Sequence, residues 1–321
     1  MLQYLIRRIL WACVLFLVIT VVAYVIFFII PVNPAALACG QRATADCIKN
    51  ATDNLGLDQP VYEQYGRFLW KLVGHQDLGK SYFNRQSVNE TVLNAAPVTA
   101  SLVLGGALLW MLIALPIGIL SALKPRSLLD RTAMVFVLIG ISAHPVWIGL
   151  ILSYVVGFRL GWTPITGYCD FFSPTTSCGG PVQWAWHMIL PWITFAILFA
   201  ALYVRMIRAN VMETANEDYV RTARSKGAPE WVVIRTHILR NALLPVVTML
   251  GMDIGVALGG AIFTETVFSL PGLGQTALGA ITNFDLPTVQ GIVVFSTIMI
   301  IVFNLVVDLL YAVIDPRIRL T

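Results

Sequence analysis

One short pattern in the sequence is associated with nucleotide chemistry. Residues 74–81, which read GHQDLGKS, match the phosphate-binding loop G-x-x-x-x-G-K-[ST], whose backbone N–H groups and lysine hold phosphates. That loop binds nucleotide only where a buried strand precedes it and a helix follows it. Here the preceding stretch, Pro60–Leu72, is amphipathic with apolar residues at helical intervals, and no acidic second strand follows. We therefore expect that this loop does not bind nucleotide.

No catalytic or metal-binding group of side chains stands out elsewhere. The histidines show no metal-ligand spacing, and no Ser/His/Asp or Cys/His grouping occurs; the four are His75, His144, His187 and His237. His144 precedes Pro145 within an apolar run, so a helix kink is expected there. His144 could relay protons or form a structural hydrogen bond to a backbone carbonyl or a neighbouring helix. The sequence therefore predicts no catalytic residue, no metal site and no enzyme.

Two carboxylates lie in a long apolar run in the last quarter of the chain. Asp253 and Glu265 are costly to place there, so they should face a water-filled path or the interior of a helix bundle. They could line a transport pathway or form structural hydrogen bonds to a neighbouring helix, and both interpretations stay open. Gly251, Gly255 and Gly259 recur every four residues in the same run. Such a face of small residues allows a second helix to approach closely.

The elements that must carry these residues are membrane spans. Hydrophobic residues make up 58% of the 321 residues, charged residues make up 12%, and the mean hydropathy is +0.78. A soluble domain usually has about 25% charged residues. Six runs are close to the roughly 20 apolar residues that a helix needs to cross a bilayer. They are Ile9–Ile30, Val98–Leu123, Thr132–Phe158, Trp186–Tyr203, Leu243–Phe268 and Val289–Val313. The sequence predicts an all-α integral membrane protein with six transmembrane helices.

The distribution of basic residues predicts the orientation of these spans, because Lys and Arg accumulate on the cytoplasmic side. With the N-terminus inside, most of the 21 Lys and Arg residues fall on the inner side. They lie in the N-terminal segment, in residues 124–131, in residues 205–240 and in the C-terminal tail. Both termini are thus predicted to be cytoplasmic. The net charge of +4 reflects this topology and does not indicate a nucleic acid partner.

The predicted spans divide the chain into four parts. Residues 1–30 form an N-terminal anchor helix, because their apolar run is too long for the core of a signal peptide. Residues 31–97 form a helical extracytoplasmic segment between spans one and two. Residues 98–313 contain spans two to six with a charged loop at residues 205–245, and residues 314–321 form a cytoplasmic tail. Membrane lipid is therefore an expected partner.

The cysteines agree with this topology. Cys39 and Cys47 fall in the first outer loop, whereas Cys169 and Cys178 fall in the second. Close pairs in an oxidising compartment suggest the disulfides Cys39–Cys47 and Cys169–Cys178. Other pairings, or four free thiols, remain open because sequence alone cannot determine connectivity.

The charged loop has the pattern of two helices joined at a glycine. Asn216 is expected to cap a short helix, and Gly227 supplies a residue that can adopt the left-handed conformation after it. Pro229 then occupies a position tolerated at the start of a second helix. We call residues 216–230 the elbow. An elbow of this kind on the cytoplasmic face offers a binding surface to a partner protein.

The residues of this loop also carry a family resemblance. The stretch EDYVRTARSKGAPEWVVIRTHILRNALLPVVT resembles the cytoplasmic loop of binding-protein-dependent ABC importer permeases. Where that family has Glu-Ala-Ala-x3-Gly, this chain has Arg221, Thr222, Ala223 and then Gly227. The form DYVRTARxKG is similar to the dipeptide/oligopeptide/nickel branch, as are YLIRRIL near the N-terminus, LGLDQP, DLGKS and ETVFSLPGLG. The long first outer loop resembles the B-type subunit of that branch.

The resemblance implies a fold, partners and a division of labour. The fold would be the transmembrane fold of a type I ABC importer. A second homologous permease, one or two cytoplasmic ABC ATPase subunits and an external substrate-binding protein would complete the transporter. The chain itself would hold no cofactor, because ATP and Mg would bind to the ATPase subunits. The protein would lie in the cytoplasmic membrane of a prokaryote.

In this family the loop docks into a cleft on the ATPase through a coupling helix. The resemblance therefore implies that the coupling residues are those at the elbow. They are Asp218, Tyr219, Arg221, Thr222, Ala223, Lys226 and Gly227.

Alternatives remain for the cargo that is transported and for the energy source that drives transport. The resemblance implies import of di- or oligopeptides, and the alternative is nickel or another small solute. A rival hypothesis is a stand-alone, ion-driven secondary transporter that uses the intramembrane residues Asp253, Glu265, Asp308 and His144. A membrane enzyme or receptor would need a catalytic cluster or a sensor domain, and the sequence displays neither.

Overall fold

The computed structural model describes residues 2–26, 35, 39, 44–46, 48–49, 52, 58–171 and 178–314. Within these ranges, side chains are described between residues 6 and 307. The described secondary structure is helical, apart from isolated β-bridges between Lys80 and Ser87 and between Asp170 and Gly179.

The longer described helices are numbered α1 to α12. In chain order they are α1 Leu2–Tyr24, α2 Val61–Gly74, α3 Val88–Leu123, α4 Leu128–Ser142, α5 Pro145–Arg159, α6 Pro181–Ala215, α7 Asp218–Ser225, α8 Glu230–Ala242, α9 Leu244–Ala257, α10 Ile262–Phe268, α11 Leu273–Thr282 and α12 Leu286–Ile314. Two of them contain π-helical turns, at Ser153–Arg159 within α5 and at Val233–Leu239 within α8.

Four of the described helices are long and apolar enough to cross a bilayer as single elements. They are α1, α3, α6 and α12. Two bent pairs, α4 with α5 and α8 with α9, meet the same criterion only when each pair is counted as one span, which raises the number to six. The chain is therefore an all-helical membrane protein with four to six spans in the part that is described.

The bend between α4 and α5 occurs at the predicted kink. The two helices differ in direction by 102° at a short break. His144 has an extended backbone there, and Pro145 begins the next helix. The Nδ1 atom of His144 accepts a hydrogen bond from the N–H of Val146 at 3.4 Å, and its ring packs edge-on against Phe263. This polar side chain therefore caps a helix, which is a structural role.

The predicted fifth span, Leu243–Phe268, is not one continuous helix. Helix α9 ends at Ala257, and α10 begins at Ile262 after a turn in which Gly260 has a φ of +133°. A Cβ atom on Gly260 would lie 2.8 Å from the Cα atom of Gly274. The turn therefore needs glycine both for its backbone conformation and for the close approach of a second backbone segment. Helical periodicity alone did not reveal this break.

The chain divides into two compact units. Unit one contains Met1–Thr99, Gly255–Ile262 and Pro271–Leu305. Unit two contains Ala100–Ile254, Phe263–Leu270 and Val306–Thr321.

Unit one is built around the first turns of α3. Its buried cluster joins α3 to α11 and α12 and consists of Val88, Val92, Ala95, Leu273 and Ile292. Helix α2 lies where the sequence predicts an amphipathic helix, and it packs on α1. The hydroxyl of Tyr24 in α1 donates to Gln64 in α2 at 2.9 Å, and the Tyr24 ring contacts Tyr65 and Phe68.

Unit two is built around α6. The indole of Trp110 on α3 is fully buried and stacks on Phe199, with Phe195 and Tyr203 beside it. Small residues let the neighbouring helices approach α6, because Gly140 of α4 lies against Ala201. Helix α6 runs without a break for 35 residues despite Pro191. It therefore connects the segment that ends at Gly180 directly to the elbow.

We expect that Gly260→Ala destabilises the protein by about 1–3 kcal/mol, because alanine is strained at this φ and its methyl group would meet the Gly274 backbone. The control is Gly279→Ala in α11, where an added Cβ has nothing within 4 Å. Thermal unfolding of the detergent-purified protein measures both variants. Equal melting temperatures for the two variants would contradict the assigned turn.

Candidate functional site

The elbow begins where α6 ends. Asn216 is the residue at the C-terminal end of α6, and its side-chain amide donates to the carbonyl of Met212 at 2.9 Å. The position before α7 is occupied by Glu217, which has extended backbone angles and no side-chain capping bond. The predicted cap at Asn216 is therefore wrong, because α6 continues further than the polar sequence suggested and takes Asn216 into its own last turn.

The end of α7 follows the predicted glycine geometry. Gly227 has a φ of +78°, and its N–H donates to the carbonyl of Arg224 at 2.9 Å. The N–H of Ala228 donates to the carbonyl of Ala223 at 3.3 Å, which gives the hydrogen-bond pattern of a Schellman helix end. Pro229 lies just before α8 and not at its first position. Nothing lies within 4 Å of a Cβ built on Gly227, so its backbone conformation alone requires glycine.

One arginine of the elbow connects three helices. Arg224 donates through Nε and Nη2 to the two carboxylate oxygens of Glu230, at 3.2 Å and 2.8 Å, and through Nη1 to the carbonyl of Ala215 at 3.5 Å. These hydrogen bonds connect α7, the start of α8 and the end of α6. The bond to Glu230 raises the pKa of Arg224, which is charged at any physiological pH. Because both side chains are exposed and water screens their charges, this pair contributes little to the free energy of folding.

Two further contacts hold α7 against the protein. Val220 is completely buried, and the hydroxyl of Tyr219 accepts a hydrogen bond from the side-chain amide of Asn241 in α8 at 2.8 Å. Arg221 lies 3.8 Å from Asp218 in an exposed ion pair.

The structure brings the predicted coupling residues together on this short helix and its C-terminal turn. Ala223 is half-buried and the others are exposed: Asp218, Tyr219, Arg221, Thr222, Lys226 and Gly227. The elbow is therefore a largely exposed, mixed-charge surface that is suited to binding another protein.

An ion pair whose carboxylate is buried joins α6 to α4 near the elbow, and the sequence analysis did not predict it. Arg208 donates through Nε and Nη2 to the two oxygens of Asp130, at 2.6 Å and 3.0 Å. Asp130 also accepts from the hydroxyl of Ser121 and from the N–H of Arg126. The available signal was local: Ser127 and Asp130 have the S-x-x-D spacing of a helix start, and the Ser127 hydroxyl does accept from the N–H of Asp130.

Of the two carboxylates in the predicted fifth span, Asp253 has a hydrogen-bond partner on a neighbouring helix. The hydroxyl of Tyr203 on α6 donates to Asp253 on α9 at 2.6 Å, which is the structural type of contact that the sequence left open. Glu265 is completely buried. The side chain of Asp308 lies outside the described residues.

The three glycines, two in α9 and Gly259 in the turn after it, lie against α12. In unit two, a Cβ on Gly251 would overlap the side chain of Val307. In unit one, a Cβ on Gly255 would lie 3.3 Å from that of Phe303, and one on Gly259 would lie 3.1 Å from Ser296. Gly251 therefore has no room for a larger side chain, whereas at Gly255 and Gly259 the neighbouring atoms would have to shift by a few tenths of an ångström.

Of the predicted disulfides, the structure describes one. Cys169 and Cys178 are bonded, with 5.4 Å between their Cα atoms. Cys47 lies outside the described residues, so the Cys39–Cys47 pair stays a prediction.

The phosphate-loop match has a structural role in unit one. The hydroxyl of Ser81 and the N–H of Tyr82 donate to the carboxylate of Asp285, at 2.6 Å and 2.8 Å, and Thr288 donates to the same carboxylate. The N–H of Ser81 is itself bonded to the carbonyl of Gln86. Burial and the neighbouring Asp285 raise the pKa of Tyr82 to about 12, so its phenol stays neutral at physiological pH. This loop is therefore anchored to the start of α12.

Two protein-family models match the chain. Residues 114–320 match the inner membrane component of binding-protein-dependent transport systems, and residues 1–103 match the N-terminal part of such a membrane component. Together the two models account for most of the chain.

Curated relatives and a solved structure are also similar. The dipeptide transport system permease protein DppB of Escherichia coli (strain K12) is 37% identical over 337 residues, which cover 99% of each chain. DppB of Alkalihalophilus pseudofirmus is 36% identical, with 99% of this chain and 100% of that one covered. The crystal structure of an amino acid ABC transporter with histidines matches with a TM-score of 0.50 and 16% identity, over 71% of this chain and 94% of that one. This last similarity concerns the fold alone.

Two substitutions within the phosphate-loop match distinguish its possible roles. Ser81→Ala removes a bond to a buried carboxylate and should lower the free energy of unfolding by about 1–3 kcal/mol. Lys80→Ala, at an exposed position, should change it by no more than about 0.5 kcal/mol. Thermal unfolding and ATP binding to the purified transporter measure the two roles. A loss of ATP affinity on replacing Lys80 would show that the loop is a nucleotide site.

Proposed function

Because the chain belongs to the family of inner membrane components of binding-protein-dependent transport systems, we propose that it is the permease subunit of an ATP-driven importer of di- and oligopeptides. The two DppB relatives, similar over nearly their whole lengths, support the peptide cargo. The structural feature that supports coupling to ATP hydrolysis is the elbow. Its short exposed helix, α7, is held near both ends by hydrogen bonds.

The proposed topology has six spans in the transmembrane fold of a type I ABC importer. Each bent helix pair then counts as one span. Both termini and the elbow lie on the cytoplasmic side of a prokaryotic cytoplasmic membrane, as the basic residues favour. Residues 1–30 form the anchor, 31–97 the extracytoplasmic segment that contains α2, and 98–313 the permease core.

The proposed partners supply the other functions of the transporter. A second homologous permease completes the translocation pathway, and one or two ABC ATPase subunits bind ATP and Mg²⁺ and hydrolyse the nucleotide. An extracytoplasmic substrate-binding protein delivers the cargo. In this division of labour the chain is a transport subunit and not an enzyme.

The geometry of the elbow suits a mechanical lever. Val220 is buried under α7, and Arg224 and Tyr219 connect α7 to α6 and α8. When the ATPase subunits close on ATP, a displacement of α7 is passed to the two helices on either side of it. The bundle then changes from inward-facing to outward-facing and accepts cargo from the binding protein.

The experiment that tests this proposal uses the assembled transporter. The chain is expressed with its genomic neighbours, purified through a tag on this subunit and reconstituted in proteoliposomes with the loaded binding protein. A second permease and ATPase subunits should copurify, ATP hydrolysis should rise with the binding protein, and radiolabelled dialanine should accumulate. Accumulation of radioactive Ni²⁺ in place of the dipeptide would indicate the nickel alternative. Uptake by the lone chain that an uncoupler abolishes would indicate an ion-driven transporter.

Substitutions at Gly227 test the elbow in the same assay. Gly227→Pro fixes φ near −65° and removes an N–H donor, so it should reduce stimulated ATP hydrolysis to the basal rate without preventing assembly. Gly227→Asn should retain most of the stimulation, because asparagine tolerates the left-handed conformation. Wild-type stimulation of the proline variant would contradict a coupling role for this turn.

A further inference from the structure

The Asp130–Arg208 pair is unusual for an ion pair because the acidic partner is both buried and fully coordinated. The side chain of Asp130 is 6% exposed and that of Arg208 is 25% exposed. Each carboxylate oxygen has two donors: Arg208 Nε and the Ser121 hydroxyl on one, and Arg208 Nη2 and the Arg126 N–H on the other. A carboxylate that is held in this way has one orientation, and the planar guanidinium must match it.

The pair joins three parts of unit two at one point. Ser121 belongs to the last turn of α3, Asp130 to the first turn of α4, and Arg208 to α6. Arg126 lies in the tight turn between α3 and α4, where its φ is +63°. The carboxylate therefore holds a helix–turn–helix corner against the side of α6.

The position of Arg208 along α6 connects this corner to the elbow. Arg208 lies seven residues before the last residue of α6, Ala215, which is about two helical turns or roughly 10 Å. Helix α7 starts three residues later, at Asp218, and Arg224 returns to the carbonyl of Ala215. A displacement of the elbow thus acts first on the end of α6 that carries Arg208.

Helix α6 also contacts α3 and α4 through apolar surfaces that include glycine. Gly118 of α3 lies against Ile207, and Gly140 of α4 lies against Ala201. Packed helices can slide past one another by small amounts across such surfaces. A bidentate ion pair resists that sliding, because its strength depends on the position and the plane of both groups.

We propose that the Asp130–Arg208 pair transmits movement of the elbow from α6 to α3 and α4, so that these helices move as one body during the transport cycle. Both are positioning residues: they hold the helices in register and touch neither cargo nor nucleotide. This inference rests on the proposed function, since it concerns how ATP hydrolysis is coupled to transport. Without the pair, α6 moves with the elbow and the α3–α4 corner does not follow.

Removing both charges together distinguishes a role in transmitting movement from a role in stability alone. Breaking one partner leaves an unpaired buried charge, so Asp130→Asn alone or Arg208→Met alone should destabilise the protein. The double variant Asp130→Asn/Arg208→Met has no unpaired charge, and such replacements are often neutral for stability. The double variant should therefore assemble like the wild type and yet lack the rigid connection.

The assay uses the complete transporter in proteoliposomes with loaded binding protein, and it records dialanine uptake per ATP hydrolysed. We expect this ratio to fall on the order of tenfold in the double variant, in line with coupling energies between sites. The matched control is Arg205→Met, an exposed arginine one turn away on the same helix, which should leave the ratio unchanged. A double variant that assembles and retains the wild-type ratio would overturn the proposal.

Arg208→Lys keeps the test decisive if the double variant fails to assemble. Lysine retains the positive charge but cannot reproduce the bidentate geometry. We expect a stable transporter whose ratio of uptake to hydrolysis falls several-fold. A wild-type ratio would show that charge neutralisation suffices and would overturn the proposal. If the wild-type transporter itself neither takes up dialanine nor responds to the binding protein, the proposed function fails, which is a separate result.

Discussion

Backbone N–H and C=O groups in an apolar surrounding have no water to bind, so nearly all of them must be paired within the chain. This constraint explains why the described spans are helices and why their interruptions occur at few positions. At His144 the side chain caps the new helix, and at Gly260 the missing Cβ lets another backbone approach. Helix α6 avoids any interruption over 35 residues, and it can therefore connect distant parts of unit two.

Buried polar side chains also need hydrogen-bond partners, and the partners that they find hold loops to helices. Asp130 accepts four hydrogen bonds at the corner between α3 and α4. In unit one, Asp285 accepts three at the start of α12 and holds the loop that contains Ser81. The exposed Arg224–Glu230 pair is similar in geometry but weaker, because water screens it. The elbow can thus be displaced more easily than the corner to which α6 is attached.

Local patterns in the sequence predicted the features that depend on local physics. Apolar runs located the four long helices α1, α3, α6 and α12, His144-Pro145 located the bend, and Gly227 located the left-handed turn of the elbow. The cap at Asn216 was wrong because tertiary packing extends α6 past its polar residues.

The contacts between distant residues could not be predicted in this way. Asp130 and Arg208 are 78 residues apart, and Ser81 and Asp285 are 204 apart. A single sequence contains no signal that pairs such distant residues. The resemblance therefore supplied a role for the elbow, and only the structure connected the elbow to α3 and α4.

The central claim, that the elbow binds the ATPase subunit, is tested most directly by placing a photo-crosslinking amino acid at Lys226 in the assembled transporter. The control position is Phe83, an exposed residue in the loop that contains Ser81. The account predicts an adduct with the ATPase subunit from position 226 and none from position 83. An active transporter that forms no ATPase adduct from position 226, or forms one from position 83, would contradict it.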